Sequence, residues 1–254
     1  AKYIALSYCW GMNQRLKLTT DTPPQMRAGT SINELPVLFH DVLGLARRLG
    51  IEYLWIDALC ILQDSESDWY HQSRAVPDVY QTAFLTLATS SSSSVTESIL
   101  HRSKDALEMK TARIPVRDNS GKLITEIVGV PRLCRSRRPL TASGWCLQEK
   151  LLSTRMVSFG GGELEWKCAA TSACECEGGV SDLYNVSAHS ITSRDEALDF
   201  WYKQVLEYSK RYLTFPSDKA RNLFDNSFGN IVVFIIRIFS SSNSNAVQPN
   251  AKHQ

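Results

Sequence analysis

The alternation of apolar and polar blocks along the chain predicts strands and helices in turn. Tyr3–Leu6 (YIAL) is a short apolar run and predicts a first strand, which leaves through the loop Ser7–Gly11 (SYCWG). Residues 13–33 are polar, carry Pro23, Pro24 and Gly29, and predict a loop. Leu38, Val42, Leu45, Ala46 and Leu49 then recur on one face of a helix over Leu35–Leu49. Pro36 suits its first turn, Arg47 and Arg48 its last, and Gly50 ends it. Tyr53–Ile56 is a second strand, so strand, helix and strand form a right-handed βαβ unit. A helix over Ser67–Ala83 follows, capped by Ser67 or Asp68, with Trp69, Val76, Val79, Tyr80 and Ala83 in its buried stripe. Pro77 falls inside this pattern and predicts a kink or a split. Phe84–Ala88 predicts a third parallel strand.

The pattern loosens after that. A low-complexity run, Ser90–Ser94, opens an excursion reaching Leu140, within which Ile114–Val116 and Leu123–Val130 predict a hairpin around residues 119–121. Ser143–Arg155 predicts a helix buried by Trp145, Leu147, Leu151 and Leu152, with Ser143 as its cap and Gln148 or Glu149 as the matching early side chain. Met156–Phe159 and Glu163–Trp166 predict a strand pair across three glycines, and Ala197–Tyr212 predicts a further helix. Beyond Asn226 no amphipathic pattern remains, which predicts an irregular tail. The fold class is α/β, a parallel sheet flanked by helices with a β-rich insertion and a helical C-terminal extension. The expected divisions are 1–168 with an insertion at about 90–142, a helical extension over 169–226, and a tail over 227–254.

Composition narrows the functional classes. The 254 residues are 43% hydrophobic and 21% charged, enough for a sizeable core. A net charge of +2 argues neither for a nucleic-acid footprint nor for an acidic tail, and no nucleic-acid partner is expected. The longest apolar run, Ile231–Phe239, is interrupted by Arg237 and falls short of the roughly 20 residues of a membrane span. Seven scattered cysteines, among them Cys9, Cys60 and Cys146 inside apolar runs, predict free thiols in a reducing, cytoplasmic setting. The opening AKYIALSY carries no secretory signal pattern. Cys168, Cys174 and Cys176 cluster without a nearby histidine, so no metal is expected. Arg132, Arg135, Arg137 and Arg138 read as a solvated loop, with phosphate binding as the alternative. No Walker loop, GxGxxG, HExxH or GxSxG is present.

Two stretches carry candidate chemistry. In YLWIDALCILQD, the second strand ends in Asp57, followed by Cys60, Gln63 and Asp64. Loops leaving the carboxyl ends of parallel strands are where α/β sheets bind ligands, so Asp57 is either a site carboxylate or a helix cap. In SGWCLQEKLLSTR, Glu149 follows Trp145 by one helical turn. A half-buried glutamate beside an indole gains proton affinity, as a general acid or base requires; the alternative is a surface glutamate paired with Lys or Arg.

SYCWG, YLWIDALCILQD, DVYQTA and SGWCLQEKLLSTR, in this order and spacing, resemble the fungal heterokaryon-incompatibility (HET) domain over about Tyr3 to Cys168. YSKRYLTFPSDK resembles the segment that follows such domains. The resemblance implies non-self recognition after cell fusion and a regulated cell-death response, a form of innate immunity. HET domains are in turn similar to TIR domains, flavodoxin-like modules of which some hydrolyse NAD. That likeness implies NAD glycohydrolase activity, with NAD or a related nucleotide as substrate and no cofactor. Glu149, in the W-C-x-x-E pattern Trp145–Glu149, is then the catalytic carboxylate. Ser7, Tyr8, Trp10, Gly11 and Trp145 would line the nucleotide, and Asp57, Cys60, Gln63 and Asp64 the opposite loop. It also implies a homo-oligomer when active and an upstream sensor domain or protein. The non-enzymatic alternative is a signalling module that kills by self-association and partner recruitment. Two departures stand out: the long stretch Ser90–Ala142 before the WCLQE helix, and Val76-Pro77 where family members carry Met and a small residue.

Overall fold

The structure is a computed structural model, and it describes residues 1–12, 14–22, 26, 29–101, 112–129, 140, 143–160, 163–175 and 193–211. Its centre is a six-stranded sheet, built from β1 (Tyr3–Ser7), β2 (Tyr53–Trp55), β3 (Leu85–Ala88), β6 (Arg155–Phe159), β7 (Leu164–Cys168) and β8 (Ser172–Cys174). The order is β2-β1-β3-β6-β7-β8. The first four strands are parallel, with Ala5 opposite both Trp55 and Thr86, and Thr86 opposite Met156. β7 and β8 add an antiparallel edge. Chain order reverses between β1 and β3, and beyond the carboxyl ends at such a switch point lies the crevice in which open α/β sheets bind ligands.

Side chains alternate across the sheet, so each face builds its own core. Ile4, Leu6, Leu85 and Leu87 pack on one side with Leu38, Phe39, Val42 and Ala46 of helix α1 (Val37–Arg48). Ala5 packs on the other side with Tyr80 of α3 (Glu66–Thr82), Leu147 and Leu152 of α4 (Gly144–Leu152), and Ala197, Phe200 and Tyr208 of α5 (Arg194–Ser209). A short helix, α2 (Asp57–Cys60), follows β2 directly. The hairpin lies between β3 and α4 in the chain, as β4 (Ala112–Arg117) and β5 (Leu123–Gly129), which among the described residues pair only with each other.

Three local expectations are corrected. Pro77 does not split its helix: α3 runs unbroken with Pro77 buried. An internal proline costs about 3 kcal/mol, and burying side chains such as Pro77 and Tyr80 returns about 1.5–3 kcal/mol each, so packing decides. The cap of α3 is Ser65, whose hydroxyl accepts from the Asp68 amide, because Asp68 is itself engaged by the Leu62 amide. Ser143 occupies the N-cap position of α4 without a side-chain cap bond; the capping box of the described chain is at α5, between Ser193 and Glu196. Among the described residues no helix is long and apolar enough to cross a membrane. The arginine cluster at 132–138, Cys176 and the chain beyond Arg211 lie outside the described residues.

Candidate active site

The site forms where β1, β2 and β3 release the chain. Ser7, the last residue of β1, is buried on the α3–α4 face of the sheet, and Tyr8 and Trp10 continue from it. Asp57 is the first residue of α2 rather than its cap; Ile56 holds the cap position. The Asp57 carboxylate accepts from Trp10 Nε1 at 2.8 Å and from the Ala58 amide at 2.7 Å. Tyr8 stacks edge-on against Phe39, which fixes its ring and turns its hydroxyl to Asp57. Gly11 has φ +72°, and a Cβ there would lie 2.7 Å from Ser94 Oγ, so only glycine lets the SYCWG loop meet the post-β3 loop.

Glu149 approaches from the opposite wall, on α4. Ser7, Tyr80 and Cys146 surround its carboxyl, with Asp57 close enough to repel it. Burial is the main force on this acid: it pushes Glu149 up from the usual 4.5 to about 8, against the neighbouring hydroxyls and thiol that favour the charge. Asp57 is raised too, first by burial, with Trp10, Tyr8 and the Ala58 amide opposing. Burial pushes Cys9 to about 11, helped by Glu149 and Glu97; burial with Glu149 raises Cys146, and burial with both Asp57 and Glu149 raises Tyr8 and Tyr80. These thiols and phenols are poor nucleophiles.

Glu149 Oε2 and the hydroxyl of Ser7 are buried without a formed hydrogen bond, as are Thr89 Oγ1 and Gln148 Nε2. Ser7 faces the Glu149 carboxyl, but the contact lacks the geometry of a made bond. Orphaned polar atoms are rare in folded interiors, and groups of them are where a bound ligand can supply the missing partners.

The remaining candidates have other engagements. Asp64 is exposed and holds Thr20, accepting its amide at 2.9 and 3.1 Å and its hydroxyl at 2.7 Å. Gln63 donates from its side chain to the carbonyls of Asp57 and Ile61, and from its backbone to Leu18. Both fasten the loop 14–22 beside the crevice. Cys60 is half-buried in α2, and burial raises its thiol. Trp145 packs edge-on against Trp69 of α3, with ring centres 6.1 Å apart. Among the described residues no three His, Cys, Asp or Glu side chains gather as metal ligands.

Two features escaped the sequence pattern. Tyr80 reads as one more core position of an amphipathic helix, yet its hydroxyl reaches the site. The serine run reads as low complexity, but its side chains are spent in fixed contacts. Ser90 bonds Ser158 at 2.6 Å, Ser91 donates to the Phe159 carbonyl at 3.2 Å, Ser92 to the Ser94 carbonyl at 2.7 Å, and Ser93 to Glu97 at 2.6 Å. The DVYQTA stretch around Tyr80 carried the one available signal for the first; nothing in the run itself signals the second.

A model of the heterokaryon incompatibility protein (HET) family matches residues 3–149, more than half of the chain. The chain belongs to the HET family. Searches of curated proteins and of solved structures give no match. Membership connects this HET domain with heterokaryon incompatibility and the cell death it entails. The matched span runs from β1 to Glu149, so it includes every candidate residue named above.

Proposed function

We propose that this HET domain cleaves the nicotinamide–ribose bond of NAD, with Glu149 as the catalytic carboxylate. The observation that carries the reading is a pair of buried carboxyls, Asp57 and Glu149, at the switch point, with the Asp57 charge raising Glu149 and, among the described residues, no basic side chain paired to either. Such a pair favours a positively charged ligand, because a cation between them restores the ionised state that burial opposes. The pyridinium of NAD is such a group. As the glycosidic bond breaks, its electron pair returns to the ring nitrogen, nicotinamide leaves neutral, and positive charge moves to the ribose carbon. The Glu149 carboxylate stabilises that oxocarbenium-like centre, as carboxylates do in glycoside hydrolysis. Water then adds to the ribose carbon and releases a proton, giving ADP-ribose. Ser7, Tyr8, Trp10 and Gly11 line the nucleotide, and Asp57 holds the SYCWG loop through the Trp10 indole. The sheet order of the parallel strands, which follows the flavodoxin-like pattern, supports the likeness to NAD-cleaving TIR domains.

The test is nicotinamide release from NAD by the purified domain, both dilute and clustered on a multivalent scaffold, beside Glu149→Gln. Turnover that falls at least a hundredfold in the variant supports the assignment; equal turnover in the variant overturns it. A second reading, a signalling module acting through self-association, draws on the hairpin β4–β5, where Ile114, Ile124 and Ile127 are exposed. Cell death that persists with Glu149→Gln but stops when these isoleucines are replaced by serine would favour that reading.

A further inference from the structure

Tyr80 is buried at the heart of α3, stacked edge-on against Trp55 at 5.6 Å, and its hydroxyl donates to the Leu6 carbonyl at 3.0 Å. Its oxygen also faces the Glu149 carboxyl, whose Oε2 is buried without a made hydrogen bond. A phenol has one proton to donate, and here two acceptors compete for it. With Glu149 protonated, the carbonyl is the better acceptor. With Glu149 ionised, the carboxylate is, since hydrogen bonds to a charged partner are roughly twice as strong as neutral ones.

We propose that Tyr80 is a positioning residue for Glu149: its hydroxyl rests on the Leu6 carbonyl while the carboxyl is neutral and turns onto the carboxylate when it ionises. The inference rests on the reading of Glu149 as the working carboxylate, but its physics concerns only these three groups. Among the described residues, the other groups facing Glu149 are Ser7, Tyr8 and Cys9 from the end of β1, Asp57 from α2 and Cys146 from α4 itself. None is a cation. Ser7, Tyr80 and Cys146 are the groups that oppose the burial of the charge, and Tyr80 alone among them comes from α3. The position of α3 on the sheet thereby sets how readily the acid ionises.

The experiment follows the Glu149 carboxyl by carbon NMR of the protein labelled at glutamate side-chain carboxyls, with Glu149→Gln identifying the resonance. Tyr80→Phe keeps the ring and removes the hydroxyl. It is expected to raise the Glu149 midpoint by about one unit, a tenfold loss of the ionised form at a given pH. A midpoint unchanged in folded Tyr80→Phe overturns the proposal. Should that variant fail to fold, 3-fluorotyrosine placed at Tyr80 keeps the packing and strengthens the donor; the midpoint must then fall, and a midpoint that stays or rises overturns the proposal. A purely structural role for Tyr80 would change the melting temperature and leave the midpoint alone. Absence of nicotinamide release together with a Tyr80-dependent midpoint would remove the hydrolase reading and leave this coupling standing.

Discussion

Glu149 is held mostly protonated at neutral pH, since burial pushes it to about 8. An acid that binds its proton more tightly when folded stabilises the fold below its unfolded value near 4.5 and loses that contribution as pH rises towards 8. Glu149→Gln, which mimics the neutral form, should therefore match the parent near pH 4.5 and exceed it by about 5 kcal/mol at pH 9, measured by urea unfolding. Activity should run the other way. Nicotinamide release by the free enzyme should climb with pH through a midpoint near 8 in kcat/KM, and the kcat midpoint should lie lower, because the bound pyridinium favours the carboxylate. A flat profile between pH 6 and 9 would count against an ionised Glu149 in the reaction. At Gly11, alanine combines a positive φ with a near-collision on Ser94, and Gly11→Ala should cost about 2 kcal/mol in stability. The residue identities of the site were largely legible in SYCWG, YLWID and WCLQE. What raises Glu149 was not: the sequence offered the neighbouring indole of Trp145, whereas burial and the repulsion of Asp57 raise it while Ser7 and Tyr80 oppose them, and those contacts span β1, α2 and α3.

Elements set the loops around the crevice, and two aspartates do much of the fastening. Asp41 on α1 accepts from the Ser98 hydroxyl at 2.6 Å and the Ile99 amide at 3.0 Å, which ties the post-β3 loop to the helix. Asp41→Ala leaves these donors without their partner and should lower unfolding free energy by about 2 kcal/mol, read as a lower urea midpoint at constant slope. Asp64→Ala should speed amide hydrogen exchange at Thr20 while leaving global stability within about 0.5 kcal/mol, because Asp64 is exposed. The helices and strands themselves were legible because apolar spacing is a local property: the stripe Leu38, Val42, Ala46 predicted α1, and the runs at Tyr3 and Phe84 predicted β1 and β3 within a residue or two. Caps and breaks were less so. Pro77 was read by its backbone preference alone, yet its burial in α3 decides the outcome.

For the whole molecule, the family match stops at Glu149 while the fold does not. β6 begins at Arg155 and pairs with β3 through Thr86–Met156, and Phe200 and Tyr208 of α5 are buried with Tyr80 and Leu147. Arg211 reaches from the end of α5 to the Ser143 carbonyl at 3.0 Å, at the entry to α4. Phe200→Ala should therefore cost about 3–5 kcal/mol although it lies outside the matched span. A chain cut after Glu149 should lack the sharp thermal transition of the full chain, as circular dichroism would show. The long stretch between Ser90 and Ala142, which departs from a compact TIR-like layout, leaves the sheet at the end of β3 and returns at the start of α4. Both attachment points border the crevice, and neither interrupts a strand of the six-stranded sheet. Closure entropy grows only slowly with loop length, each doubling costing about 0.6 kcal/mol. Past Ser98 and Ile99, which Asp41 fastens, the length and content of this excursion can consequently diverge between proteins with little penalty to the scaffold, which gives the fold a place to diversify beside its candidate site.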